Sequence, residues 1–267
     1  MNHDGVEAVL LDLDGVITPT AEKHMQAWNR MFTDFFAARG LDAYTDEDYF
    51  RYIDGKPRAE GITAMLAARG LELPAGDSAG PDEDDDDATT DPAGTDTVAG
   101  LGERKNRIFT ELLAEGIEAY PGSVAYIDAL DAAGIAKCVV SSSKNAVAVL
   151  TAADLRDRFE VIVDGRVAAA EGIPGKPRPD TYLRAAELLG VPADRCAVVE
   201  DAVSGVQAGA AGGFAHVIGV DRGAGRQTLL DEGADVVVVD LADLIPGVTG
   251  EAPGTNVETT EVEGERE

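Results

Sequence analysis

Positive charge is what this sequence lacks most. Its 267 residues hold 22 Lys and Arg against 50 Asp and Glu, for a net charge of −28. No basic stripe is available to neutralise a phosphate backbone, so nonspecific nucleic-acid binding is not expected. Cysteine is scarce as well: Cys138 in IAKCVVSSS and Cys196 in DRCAVVED, each within an apolar run. Neither sits in a metal or redox spacing, and each is expected to be a small buried hydrophobe. No stretch approaches 18 apolar residues and the N-terminus carries no signal-peptide pattern. A soluble, cytoplasmic protein without a membrane partner is therefore expected.

The acid is spread unevenly. Residues 77–97 carry nine acids and no base, and residues 250–267 carry six acids and one Arg. Without both segments 35 acids still face 21 bases, a net −14, so the folded body is acidic too. Self-repulsion of that size is tolerable where salt shortens the Debye length to roughly 3 Å at 1 M. The composition reads as halophilic, an adaptation to a salty cytoplasm; the alternative is an ordinary acidic protein with an acidic tail. The stretch PAGDSAGPDEDDDDATTDPAGTDT is low in complexity and rich in Pro, Gly and Thr, and is expected to be a disordered loop; the tail after Gly250 is expected to be disordered as well. A calcium-loop reading of the acidic run fails on ligand spacing and on the missing terminal Glu.

What the chain does have is a regular alternation. Short β-branched runs fall at Val6–Leu11, Ala136–Val140, Glu160–Val163, Ala197–Val199, His216–Val220 and Asp235–Asp240. Several are apolar at consecutive positions, as strands covered on both faces should be. Helical patterns such as Ser123–Ala133, Pro179–Leu189 and Ala202–Ala211 stand between them, with Gly134, Gly190 and Gly212 at their ends. This predicts an α/β fold with a doubly wound parallel sheet. From about Thr20 to Glu118 the alternation stops, and AEKHMQAWNRMFTDFFAARG, AEGITAMLAARG and RKNRIFTELLAEG all show helical spacing. A helical domain inserted after the first strand is expected. The division is then 1–19 and 119–249 for the catalytic core, 20–118 for the helical cap and 250–267 for the acidic tail.

Four features fall at the carboxyl ends of the expected strands, where open α/β sheets bind ligands. They are DLDG with Asp12 and Asp14, VVSSSKN with Ser141, Ser142 and Ser143, GKPRPD with Lys176, and VVEDAVSG with Glu200 and Asp201. Each alone has a plainer explanation as a turn, a helix cap, a proline-stiffened helix start or a charged helix terminus. Together they suit phosphoryl transfer. Carboxylates suit a hard cation such as Mg²⁺, hydroxyls and amides at a strand–helix junction suit phosphate oxygens, and one lysine adds charge for the transferring group. One Asp could then be a nucleophile.

DLDGVITPTAEKHMQAW, VVSSSKN, GKPRPD and VVEDAVSGVQAGAAGG resemble the four motifs of the haloacid dehalogenase superfamily, over about Val6 to Leu244. More narrowly they are similar to its helical-cap subfamily, which includes β-phosphoglucomutase. The resemblance implies that Asp12 is the nucleophile and a Mg²⁺ ligand. Asp14 would be the general acid/base and would ligate the metal through its carbonyl. Ser141 and Lys176, with the amides of Ser142 and Ser143, would hold the phosphoryl oxygens, and Glu200 and Asp201 would complete the metal site. In the cap it implies a hinge histidine at His24, an arginine for the distal phosphate at Arg58 and a lysine reaching into the site at Lys105.

The activity it implies is Mg²⁺-dependent interconversion of β-glucose 1-phosphate and glucose 6-phosphate through an aspartyl-phosphate. A phosphatase acting on a small sugar phosphate is the alternative. The partner expected is that small substrate, and the chain is expected to act as a monomer. Two departures bear on substrate and closure. Pro19 stands where relatives often carry Asp, which restricts Thr18 and deletes one backbone donor. YIDGKPRAEG and the long acidic loop also differ from the best-known mutases.

Overall fold

The strand β1 (Ala8–Leu11) is buried at every position, because both of its faces are covered. Val9 and Leu11 point into one apolar cluster and Ala8 and Leu10 into another, the two-residue alternation of a pleated strand set between two helical layers. The computed structural model describes residues 5–53, 58–76 and 95–245. After β1 come α1 (Thr20–Ala37), the single turn α2 (Asp46–Asp48), a π turn at Tyr49–Ile53, α3 (Arg58–Ala68) and α4 (Val98–Ala114). The chain then alternates through α5 (Pro121–Ala133), β2 (Ala136–Val140), α6 (Ala146–Ala152), β3 (Val161–Val163), α7 (Gly165–Glu171), α8 (Asp180–Leu189), β4 (Cys196–Glu200), α9 (Val203–Ala211), β5 (His216–Val220), α10 (Arg226–Asp231) and β6 (Val236–Val238).

All six strands form one parallel sheet in the order β3-β2-β1-β4-β5-β6. This is the doubly wound arrangement expected from the alternation. Connections run one way from β1 to β2 and β3, and the other way from β4 outward, so the crevice at the carboxyl end of β1 is a topological switch point. Cys138 and Cys196 are buried in the cluster against α8, as small hydrophobes. The expected strands hold, with ends moved by one or two residues at β1, β3, β4 and β6.

The segment between β1 and α5 builds an apolar cluster of its own. Trp28, Met31, Phe32, Phe35 and Phe36 lie along one face of α1 and pack with Ile62, Met65 and Leu66 of α3 and Leu101 of α4. Their spacing is that of an amphipathic helix, and burying each such side chain contributes about 1.5–3 kcal/mol. No strand occurs in this segment among the described residues. Most of the acidic stretch 77–97 and the tail 250–267 lie outside the described residues; of the former, Thr97 caps α4 by accepting from Gly100 N at 2.9 Å.

Gly134 and Gly190 end their helices in the left-handed conformation, with φ of 67° and 70°. At the end of α9 the left-handed residue is Gly213 rather than Gly212. Gly212 meets a different need, since the Phe214 ring fills the space of a β-carbon there.

Candidate active site

Asp12 is the first residue beyond β1, and its N–H donates to Val199 O of β4 at 2.9 Å, which fixes it at the edge of the central strand. Lys176, from the loop between α7 and α8, reaches under that edge. Its Nζ lies 2.5 Å from both Asp12 Oδ1 and Glu200 Oε1 and donates to Val140 O at 3.1 Å. Glu200, 1% exposed, also accepts from the Tyr182 hydroxyl at 2.9 Å and from Ala202 N at 3.2 Å.

Asp12, Glu200 and Asp201 each bring one carboxylate oxygen to within 4.8 Å of the others. Two glycines make room for this trio: Asp201 Oδ2 fills the place of a β-carbon on Gly15, and the Glu200 carboxyl fills that on Gly205. The trio carries more negative charge than Lys176 can balance. Burial raises the Asp12 pKa well above the usual carboxylate range; Lys176 opposes this, while Glu200, Asp14 and Asp201 add to it. Burial, then Glu200 and Asp14, push Asp201 up to about 7. Burial works against the Lys176 charge, yet Asp12 and Glu200 outweigh it and raise its pKa. An all-oxygen donor set with that excess of negative charge fits a hard divalent cation.

Asp14 differs from Asp12. Its Oδ2 accepts from Ser141 Oγ at 3.4 Å, whereas its Oδ1 is buried without a hydrogen-bond partner. Burial raises its pKa, against the neighbouring Thr20 hydroxyl and the charge of Lys176. A carboxyl group with a raised pKa and a vacant oxygen can hold a proton and pass it on. The turn that follows is tied down at successive carbonyls. Gly15 O accepts from Arg222 Nε at 2.8 Å, Val16 O from Ser123 Oγ at 2.6 Å, and Ile17 O from Tyr120 N at 2.9 Å.

Of the three serines after β2, Ser141 is buried and faces Asp14. The Ser143 amide donates to Ser141 Oγ at 3.0 Å, and Ser143 Oγ accepts from Asn145 N at 3.1 Å. Ser142 is at the surface.

The helical segment supplies a second group of cations. Lys105 sits in the apolar stripe of α4, between Leu101 and Phe109 at four-residue spacing, and is 3% exposed. Its Nζ is 2.5 Å from His24 Nδ1 and lies over the rings of Trp28 and Phe109. Burial, then the charge of Arg58, bring its pKa down to about 7, and Asp14 pulls the other way. His24 stacks on Phe109 with ring centres 4.1 Å apart, and burial, then Lys105 and Arg58, hold its pKa well below the usual imidazole value. Arg58 donates to Asn106 Oδ1 at 3.4 Å, the oxygen that also accepts from Asn145 at 3.1 Å. Asn106 thus joins the helical segment to the loop after β2.

Carboxylates gathered with a lysine at the switch point of a parallel sheet, under a helical segment with cations of its own, define a phosphoryl-transfer enzyme. The chain belongs to the haloacid dehalogenase-like hydrolase family, whose sequence model matches residues 6–213. It is β-phosphoglucomutase-like within that family. A β-phosphoglucomutase of Mycobacterium tuberculosis (strain CDC 1551) is 46% identical over 252 residues, covering 90% of this chain and 92% of that protein. The Bacillus subtilis β-phosphoglucomutase is 33% identical over 242 residues, with 90% and 92% covered. Among solved structures, CbbY of Rhodobacter sphaeroides in complex with xylulose 1,5-bisphosphate aligns with a TM-score of 0.65 at 28% identity, covering 90% of this chain and 96% of that one. The Clostridium difficile β-phosphoglucomutase aligns at 0.64 and 26%, covering 90% and 93%.

Tyr182, Thr20, Arg222 and Asn106 are not among the site residues that the sequence points to. Arg222 obeys the rule that located the others, standing two residues past the end of β5. Tyr182 reads as an ordinary apolar position of an amphipathic helix, and only its contact with Glu200 distinguishes it.

Proposed function

We propose that the chain is a Mg²⁺-dependent β-phosphoglucomutase, interconverting β-glucose 1-phosphate and glucose 6-phosphate through a glucose bisphosphate. One observation carries the mutase reading: the second cationic group, with Lys105 buried beside His24 and Arg58 in electrostatic reach of both. A mutase must hold a sugar with phosphate at both ends, and this requires positive charge on both sides of the cleft. The core supplies Lys176 and Ser141; residues 20–118, acting as a cap over a core of 1–19 and 119–249, supply Lys105 and Arg58. A buried ammonium whose pKa is lowered to about 7 is short of a counterion, and a phosphate dianion is one. The relative in complex with a sugar bisphosphate has the same fold.

In this reading an Asp12 carboxylate oxygen attacks phosphorus and the bond from phosphorus to the sugar oxygen breaks. Asp14 delivers its proton to that oxygen. In the return step a sugar hydroxyl attacks phospho-Asp12 while Asp14 takes the hydroxyl proton. Lys176 and Ser141 hold the phosphoryl oxygens in line, with the Ser142 and Ser143 amides beside them. Asp12, Glu200, Asp201 and the Asp14 carbonyl would hold Mg²⁺, which when bound neutralises charge on the phosphoryl group. The cap excludes water, so that phospho-Asp12 waits for sugar. The setting proposed is a salt-rich cytoplasm, with the protein acting as a monomer.

The second reading is a phosphatase that passes the phosphoryl group from Asp12 to water, favoured by the hydrolase family model. A paired assay separates the two in high KCl with Mg²⁺, β-glucose 1-phosphate and a trace of glucose bisphosphate, with Asp12→Asn as blank. Glucose 6-phosphate without free phosphate supports the mutase; free phosphate alone overturns it in favour of the phosphatase.

A further inference from the structure

We propose that Arg222 is a positioning residue for the acid/base step, acting through the turn that carries Asp14. The proposal rests on the phosphoryl-transfer reading and goes beyond it, since Arg222 belongs to none of the motifs that define the site.

Arg222 follows β5, two strands away from Asp12 in the sheet. Its guanidinium makes three contacts that meet at the root of the helical insertion. Nε donates to Gly15 O at 2.8 Å, Nη1 donates to Val239 O at 3.0 Å, and the group lies 3.9 Å from the centre of the Tyr120 ring. The Tyr120 N–H in turn donates to Ile17 O at 2.9 Å. One side chain therefore touches both crossings between sheet and insertion, the outgoing turn at Gly15 and the returning chain at Tyr120, and is itself anchored beside β6.

The consequence falls on Asp14 and not on Asp12. Asp12 is held independently, by its N–H on Val199 O and by Lys176. Asp14, whose carboxylate takes one long bond from Ser141 Oγ at 3.4 Å, is placed chiefly by the turn. Gly15 takes φ +84°, its N–H donates to Thr18 O at 2.8 Å, and its carbonyl is the one that Arg222 grips. Releasing that carbonyl frees the Gly15–Val16 peptide to rotate, which loosens the turn one residue beyond Asp14 and lets its carboxyl shift away from the leaving oxygen. A displacement of about 1 Å is enough to cost on the order of 100-fold in rate. Planarity and a forked set of donors let arginine bond two carbonyls and stack at once, which an ammonium cannot do.

The two steps can be read separately because they differ in what they ask of Asp14. When acetyl phosphate loads Asp12, the Asp12 oxygen attacks phosphorus and acetate leaves without needing a proton. Transfer to and from the sugar needs Asp14 each way. The experiment compares wild type, Arg222→Ala and Arg222→Lys in Mg²⁺ buffer. First-turnover formation of phosphoprotein from acetyl phosphate is followed by rapid quench and intact mass, and turnover of β-glucose 1-phosphate is measured alongside. The expected result is a fall in sugar-phosphate kcat of roughly 30-fold or more in both variants, with loading slowed less than about threefold. Equal loss in both steps would make Arg222 a merely structural residue and overturn the proposal, as would no loss in either. Should Arg222→Ala fail to fold by circular dichroism, Arg222→Lys decides the matter by the same comparison. If wild type is not loaded by acetyl phosphate, the phosphoryl-transfer reading itself falls, an outcome distinct from a loaded enzyme indifferent to Arg222.

Discussion

The Asp201 carboxylate fills the space that a side chain on Gly15 would need, and Gly15 adopts φ +84° to bring the chain round it. Any residue with a β-carbon at position 15 must displace Asp201 and also bear a left-handed backbone. Gly15→Ala is expected to lose about 1–2 kcal/mol of stability from the backbone alone. Its turnover should fall by at least about 100-fold, because an acid of the trio has moved. Urea unfolding and a Mg²⁺ titration of activity test both halves. A variant that needs no more Mg²⁺ than wild type would show that Asp201 is not a ligand.

Lys176 is the cation among buried acids, and removing it leaves Asp12 and Glu200 facing each other without a positive partner. Lys176→Met is expected to cost about 3–5 kcal/mol in the presence of a chelator. Millimolar Mg²⁺ should restore part of this, since a cation held by the native trio and not by the unfolded chain stabilises by mass action. A Tm difference between variant and wild type that ignores Mg²⁺ counts against the trio as a cation site. Activity should not return, because the phosphoryl oxygens have lost their lysine.

Lys105 is expected to link pH to folding and, on the proposed reading, to binding. Its pKa is brought down to about 7 in the native protein, by burial and then by Arg58. Between there and the ordinary lysine value of about 10.4 the unfolded chain holds a proton that the native protein does not. Native stability should therefore rise with pH across that window, and the contribution is flat below it. Lys105→Met should flatten the slope in urea unfolding while weakening substrate binding. A phosphate dianion beside Lys105 favours the charged form, so binding above pH 7 should take up a proton. Calorimetry in two buffers of different ionisation enthalpy measures this uptake, and zero uptake would place the distal phosphate elsewhere.

A net charge of −28 on 267 residues should make stability depend strongly on salt. We expect Tm to climb steadily with KCl up to molar concentrations, well past the range in which surface pairs such as Arg195–Glu7 are already screened. A Tm that levels off or falls once ordinary ionic strength is reached would remove the halophilic reading.

How much of this could be read beforehand depended on what each residue does. The strands were legible because burial on both sides of a sheet demands consecutive apolar residues, as in AVLL. Asp12, Lys176 and Glu200 were legible because strand ends are where open sheets place chemistry, and the structure does bring these three into contact. Lys105 was legible only through the resemblance; that it stands between Leu101 and Phe109 in the buried stripe of α4 is a structural finding. The Tyr182 hydroxyl was not, because a tyrosine on a buried helical face looks like packing whether or not its oxygen has a partner. Nor were the bonds to the carbonyls of Gly15, Val16 and Ile17. Backbone oxygens carry no identity in sequence, and their partners at Arg222, Ser123 and Tyr120 lie far along the chain.

The hydrogen bond from Tyr120 N to Ile17 O brings the departure and return of the chain to one doorway. Roughly a hundred residues leave the sheet there and come back without disturbing a strand. For a lineage under selection, that geometry separates two kinds of inheritance. The acids and the lysine below the doorway stay under one set of constraints, while the helices above it can lengthen, repack or acquire an acidic run under another. On the proposed function, substrate preference can then drift while the reaction is passed on intact.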